Sequence, residues 1–281
     1  MMNIPSIKLS NGIEMPVIGI GTHQAQGDAA SDSLALAFNE GYRLVDTAAA
    51  YLTEPVVREA IKKSDVKRED IFITSKLRNA CHGYKNTMEA FELTLENLGT
   101  DYLDLYLIHW PNPVQYRTIW QEATKDTWKA FVELYKAGRI KAIGVSNFMP
   151  HHIDMVTEDS GVMPMVNQLK LCPGVVQPEI VKYCKEKGIA IEAYSPFGTG
   201  TVFKAPELAK MSEKYGKSVG QIVLRWAIQM GFVPLPKSVT AERIRQNLDV
   251  FDFVLEDADV LMISNLEGYA DPAPIPDEIT F

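Results

Sequence analysis

The stretch "RLVDTAAAYLTE" (43–54) runs from an apolar segment into a helix-like one. Asp46 closes the apolar segment and Tyr51 follows five residues later. A buried strand that ends on an acid and turns at once into a helix is one β/α unit, so the question is whether the chain repeats it.

It does. Short runs rich in Val, Ile, Leu and Tyr recur at 17–22, 43–48, 71–76, 104–110, 142–148, 165–170, 189–196 and 232–238. Their near-continuous hydrophobicity suits parallel strands covered on both faces. Helical patterns lie between them. In 84–98, Met88, Phe91, Leu95 and Leu98 fall on one helix face. In 124–138, Trp128, Phe131, Val132 and Tyr135 do the same, and Gly138 marks a stop. The segments 177–188 and 218–231 also read as helices, the first with a proline near its first turn.

Parallel strands require crossovers, and eight β/α repeats in 281 residues without a linker favour a (β/α)8 TIM barrel, a single domain over 1–281. Ahead of the first strand, "IKLSNGIEMPVI" (7–18) carries an Asn-Gly turn between apolar stretches, predicting a hairpin that closes the bottom of the barrel.

Composition narrows the function. The net charge of −8 argues against a nucleic-acid or membrane surface. The N-terminus has no signal-peptide pattern and no window is apolar enough to span a bilayer. Cys81, Cys172 and Cys184 have neither metal spacing nor an even-numbered framework. A cytoplasmic protein in a reducing compartment is the expectation.

In such a barrel the site lies at the C-terminal strand ends. Asp46, Lys76, His109, Asn147, Gln168, Ser195 and Lys237 stand there. Singly, each admits a plain structural role: a cap, a solvated lysine, a packed histidine. Together on one rim they predict a polar pocket. Tyr51, Lys76, Asp46 and His109 in contact could protonate an oxygen that accepts hydride. A free phenol titrates near about 10, and a nearby ammonium lowers that value. The hydride itself needs a cofactor. No Gly-x-Gly-x-x-Gly fingerprint or P-loop is present. "PKSVTAERIRQN" (236–247) instead offers Lys237, Ser238 and Arg243 at a strand end and the helix after it, where a phosphate could sit. No strand-end cluster has a metal's ligand set.

The stretches "GYRLVDTAAAY" (41–51), "ITSKL" (73–77), "YLDLYLIHWP" (102–111), "AGRIKAIGVSNF" (137–148), "MVNQ" (165–168), "AYSPFGTG" (193–200) and 236–247 together make the chain resemble an aldo-keto reductase along its full length, of the bacterial diketogluconate-reductase or glyoxal-reductase type. The resemblance implies an NADPH-dependent reductase of aldehydes or ketones, with NADH a poorer fit. Tyr51 would be the general acid, Lys76 would lower its pKa, Asp46 would pair with Lys76, and His109 would orient the carbonyl. The cofactor would contact Gly21, Thr22 and Asp46. Tyr194 would stack on the nicotinamide, and Ser146, Asn147 and Gln168 would hold its amide. Ser195, Pro196, Phe197, Gly198 and Thr199 would cover the pyrophosphate. Lys237, Ser238, Val239 and Arg243 would hold the 2′-phosphate, with Gln246 and Asn247 near the adenine.

The chain departs from the family's usual wording at several places. Leu52-Thr53-Glu54 follows the tyrosine, His23 stands for an aromatic wall, Arg78 for a tryptophan, and Cys172 for a histidine before Pro173. His23, Arg78 and Trp110 are therefore candidate substrate contacts beside Tyr51 and His109, and a pocket arginine would favour keto acids, keto-sugars or dicarbonyls. Segments 111–127 and 266–281 are expected to close over the pocket. A monomer is expected, with a dimer left open. A non-enzymatic nicotinamide-binding protein on the same fold is the alternative, and the intact set of four argues against it.

Overall fold

The computed structural model describes residues 4–281. Eight parallel strands form one sheet: β3 (Ile20–Gly21), β4 (Leu44–Asp46), β5 (Phe72–Leu77), β6 (Leu103–Ile108), β7 (Ile140–Ser146), β8 (Val166–Lys170), β9 (Ala190–Tyr194) and β10 (Phe232–Leu235). Each lies beside its sequence neighbour, in the order a barrel requires. Every apolar run quoted above overlaps one of them, and five strands lie wholly inside their run.

The seam between first and last strands is closed by two backbone bonds. The Gly19 and Gly21 N–H groups donate to the Pro234 and Pro236 carbonyls at 3.1 and 3.0 Å. In this register the return donors would be the nitrogens of Pro234 and Pro236, which carry no hydrogen. The seam is therefore bonded in one direction only.

Close strand packing needs a glycine on β7. A Cβ on Gly144 would lie 2.5 Å from the Val166 carbonyl oxygen and 2.8 Å from the Leu107 side chain. Val, Ile, Leu and Phe fill much of the space around the strands, among them Ile73, Leu105, Ile143 and Val166, all fully buried.

The strands β1 (Ser6–Lys8) and β2 (Glu14–Pro16) form the expected hairpin, and Gly12 takes φ +89° in its turn. Asn11 Nδ2 donates to the Lys141 carbonyl at 2.9 Å, which puts the hairpin at the N-terminal end of β7.

Helices cover the outside: α1 (Asp28–Glu40), α2 (Glu54–Lys63), α3 (Tyr84–Leu98), α4 (Trp120–Lys136), α5 (Pro150–Ser160), α6 (Pro178–Glu186), α7 (Pro206–Tyr215), α8 (Val219–Gln229), α9 (Ala241–Leu248) and α10 (Asp257–Ser264). The helix α3 has the predicted bounds and stops at Gly99, φ +64°. The helix α8 opens with a reciprocal cap between Ser218 and Gln221. The helix α4 begins earlier than the pattern 124–138 predicts. A 3-10 turn over Val114–Ile119 feeds directly into it, and Trp120 packs edge-on against His152 at 5.2 Å. No described helix is long and apolar enough to cross a membrane.

Candidate active site

The C-terminal strand ends open on a cavity of about 630 Å³. Asp46 lines it, and Lys76 is buried behind Asp46. Lys76, in β5, is fully buried, and its Nζ lies 2.7 Å from both Asp46 carboxylate oxygens and 3.0 Å from the Thr47 carbonyl. Burial alone would lower the lysine's pKa. The opposing causes, chief among them the charge and hydrogen bonds of Asp46, outweigh it, so the shift is upward and the ammonium is kept.

Tyr51 follows β4 in a single 3-10 turn, Ala49–Tyr51. Its ring centre is 4.9 Å from Lys76 Nζ and its hydroxyl is 3.5 Å from His109 Nε2. Burial raises the Tyr51 pKa, Lys76 lowers it, and Asp46 raises it again. Lys76 lowers it, as expected from the sequence, but the net direction in the free protein is up. The reason is that desolvation of a buried phenolate exceeds the help from one ammonium already paired with a carboxylate. His109 is held neutral: burial first, then the Lys76 and His23 charges, bring it down to about 3.

A hydrogen-bonded belt rings the next part of the cavity. Asn147 sits at φ +61°, a left-handed conformation that asparagine tolerates better than most residues. Its backbone N–H donates to the Gln168 carbonyl at 2.9 Å, and its Nδ2 donates to the His109 carbonyl and to Ser146 Oγ. Tyr194 Oη donates to Asn147 Oδ1 at 2.9 Å, which fixes the Tyr194 ring at the cavity wall. Gln168 Nε2 donates at 2.8 Å to Asp46 Oδ2 and also to Glu192 Oε2.

Of the residues singled out in the sequence, Gly21, His23, Asp46, Tyr51, His109, Trp110, Ser146, Asn147, Gln168, Tyr194, Ser195, Pro196, Phe197, Thr199, Lys237 and Arg243 line this cavity. Lys237 and Arg243 mark its basic end, and neither pairs with a carboxylate among the described residues. The structure does not bring the others to its wall. Thr22 is buried behind it, bonded to the Asp46 carbonyl and to Thr53 Oγ1. Gly198 is buried behind Thr199. Ser238 caps its own turn at Thr240, and Val239 is exposed. Gln246 donates to Glu242 on α9, and Asn247 is buried beside Gly220.

Arg78 is not among the residues that line the cavity. It lies past the end of β5, exposed, with Nη2 3.4 Å from the Ala49 carbonyl and away from the cavity wall. The backbone at Arg78 is extended (φ −64°, ψ 140°) and leads into a 3-10 turn over Asn79–Cys81.

His23 does reach the wall, edge-on to Tyr51 with ring centres 4.9 Å apart. Burial, then the Lys76 and Lys237 charges, lower its pKa. From the tail, Phe281 forms part of the wall and meets Trp110 edge-on at 5.4 Å. From 111–127, only the anchoring of that tail bears on the cavity: Arg117 donates to the Asp277 and Ile279 carbonyls, and Asn112 to Asp277 Oδ1.

His151, His152 and Asp277 have the composition of a metal site. Their hydrogen bonds give them another role. The Met149 N–H donates to His152 Nδ1 at 3.0 Å, so the neutral ring carries its proton on Nε2 and donates it to Asp277. The cluster ties the tail to the start of α5.

Sequence reasoning missed Gln24, Gly200, Phe203, Leu235 and Phe281 on the wall, and Glu192 beneath it. Glu192 carried a readable signal. It lies two residues before Tyr194 in β9, so both point to the same face of the strand.

A barrel with this arrangement at its C-terminal mouth defines the class. Residues 17–267 match the Aldo/keto reductase family. The chain belongs to that family and is an oxidoreductase. It is similar to the glyoxal reductase of Bacillus subtilis (strain 168), 46% identical over 277 residues that cover 98% of each chain. Methylglyoxal reductase DkgA of Escherichia coli (strain K12) is 39% identical, covering 99% of each. Among solved structures, Gox0644 in its apo form superposes with a TM-score of 0.91 at 36% identity over the whole of both chains, and a mutant of that protein was crystallised with NADPH. A Bombyx mori aldo-keto reductase in complex with NADP gives 0.86 at 33% identity, covering 94% of this chain and 93% of that one.

Proposed function

We propose that this protein reduces small aldehydes and ketones, dicarbonyls of the glyoxal type first among them, using NADPH. The observation that carries the reading is the neutral Tyr51 phenol at the cavity, beside neutral His109 and above the buried pair of Lys76 and Asp46. Two relatives named for the reduction of glyoxal and methylglyoxal support the substrate class.

The residues present fit a nicotinamide dinucleotide phosphate. Lys237 and Arg243 offer two cations without acid partners for a phosphate monoester, which favours NADPH over NADH. Ser195, Pro196, Phe197 and Thr199 would lie along the pyrophosphate, the Tyr194 ring against the nicotinamide, and Ser146, Asn147 and Gln168 at its amide. The bound cofactor supplies the hydride. Tyr51 then donates its proton to the oxygen on which charge develops. The Lys76 ammonium stabilises the phenolate left behind, and Asp46 keeps that ammonium charged and in place. His109, neutral, orients the carbonyl oxygen through a ring N–H. Trp110 and Phe281 exclude water from the reacting carbon's side.

The test is NADPH oxidation by the purified protein with methylglyoxal, beside a Tyr51→Phe variant. Wild-type turnover with a loss of about 100-fold or more in kcat for the variant is expected. NADPH affinity, read by fluorescence, should stay within about threefold. Tight NADPH binding without turnover of any carbonyl would favour a regulatory nicotinamide-binding role.

A further inference from the structure

Glu192 is a fully buried carboxyl in the barrel interior for which the mechanism above has no use. It has two polar contacts. Gln168 Nε2 donates to Glu192 Oε2 at 2.8 Å, and the Thr74 hydroxyl to Oε1 at 3.5 Å. Thr74 is opposite Asp46 in register and Gln168 opposite Glu192, and the hydrogen bonds of Gln168 to Asp46 and Glu192 join the two pairs.

The Gln168 amide is thereby determined at both hydrogens. One is taken by Asp46 Oδ2 and the other by Glu192 Oε2, each at 2.8 Å. An amide turned end for end would set its oxygen against the Asp46 carboxylate. Gln168 Oε1 makes no hydrogen bond among the described residues, and Gln168 lines the cavity. Asp46 alone leaves the amide free to rotate about its contact, because that carboxylate is already engaged by Lys76.

We propose that Glu192 is a positioning residue for the cofactor: with Asp46 it clamps the Gln168 NH2 group, so that Gln168 Oε1 is presented to the nicotinamide carboxamide as an acceptor. This rests on the reading above that the nicotinamide amide lies against Gln168. The acceptor role of Glu192 survives in its uncharged form. Burial, then the Asp46 charge, push its carboxyl up to about 8, and the carbonyl oxygen of the neutral acid still accepts from Gln168. A neutral Glu192 also leaves the Lys76 and Asp46 charges balanced beneath Tyr51.

The experiment compares two cofactors on the wild type, Glu192→Ala and Glu192→Gln. One is NADPH. The other is the reduced 3-acetylpyridine analogue, whose acetyl group has no N–H to give to Gln168. Dissociation constants are measured by fluorescence or calorimetry, without substrate. Glu192→Ala should weaken NADPH about tenfold and the analogue by less than about twofold. Glu192→Gln, whose amide oxygen can accept from Gln168, should restore NADPH binding. Unchanged NADPH affinity in Glu192→Ala, or an equal loss for both cofactors, would overturn the proposal. Should Glu192→Ala not fold, Glu192→Met keeps the volume and is read the same way. Failure of the wild type to bind NADPH would instead refute the cofactor reading on which the proposal stands.

Discussion

Lys76 Nζ lies 2.7 Å from both carboxylate oxygens of Asp46, with the lysine side chain fully buried and the aspartate nearly so. A pair so placed is costly to break from one side and far less costly to remove whole. Lys76→Met should destabilise the protein by about 3–5 kcal/mol, because it strands a buried carboxylate. The double variant Lys76→Met, Asp46→Asn should recover part of that loss, while neither variant turns over substrate. Urea unfolding followed by circular dichroism separates the two. Equal stability of the single and double variants would show that Asp46 is not held as a charge.

The basic end of the cavity makes a different demand. Lys237 and Arg243 line it without acid partners, whereas Arg245, two residues on, is paired with Glu40 at 2.8 Å. Lys237→Ala or Arg243→Ala should each weaken NADPH by about tenfold or more and leave NADH nearly unchanged. Arg245→Ala should change neither. Calorimetric titration with both cofactors is the check, and parallel losses for NADPH and NADH would place the 2′-phosphate elsewhere.

The barrel and three of the four central residues were legible for one physical reason. Buried parallel strands are apolar throughout, so an ionisable residue at a strand end stands out, as Asp46, Lys76 and His109 do. Residues beyond a strand end are harder. The directions of His23 and Arg78 depend on loop backbone, and only His23 turned inward. Phe281 meets Trp110 from 171 positions away, a contact that no local pattern encodes. Glu192 lay hidden in an apolar run, although its parity with Tyr194 assigns it to the barrel interior. The net effect on Tyr51 was beyond reach because desolvation depends on packing, which spacing does not report.

Phe281 and Trp110 form an apolar part of the cavity wall, which the proposed function gives to the substrate. An edge-to-face aromatic pair contributes about 0.5–1.5 kcal/mol beyond the area it buries. Phe281→Ala should therefore raise KM for methylglyoxal about three- to tenfold. NADPH affinity should not follow if the cofactor takes the contacts proposed above, none of which is Trp110 or Phe281. Steady-state kinetics with a parallel fluorescence titration reads both, and a matching loss of NADPH affinity would mean that the tail closes over cofactor instead.

Stability should fall on the acid side of neutrality. His82 and His152 are pulled down to about 4 and His109 to about 3, with burial the leading cause in each. In the unfolded chain each binds a proton below about 6.5. Between that value and the folded one the unfolded chain holds the extra protons, so stability drops as pH falls, by up to about 1.4 kcal/mol per pH unit for each histidine. Glu192 works in the opposite sense. It stays protonated in the fold up to about 8, so its contribution is full at low pH and is lost as pH rises toward that value. With His23 also lowered and the buried Glu54 also raised, four histidines stand against two carboxyls and leave the acid loss dominant between pH 6 and 5. Urea midpoints at pH 7, 6 and 5 should descend. His82→Gln, which cannot ionise and lies outside the cavity wall, should flatten the slope by about one proton. A midpoint as high at pH 5 as at pH 7 would refute the neutral buried histidines.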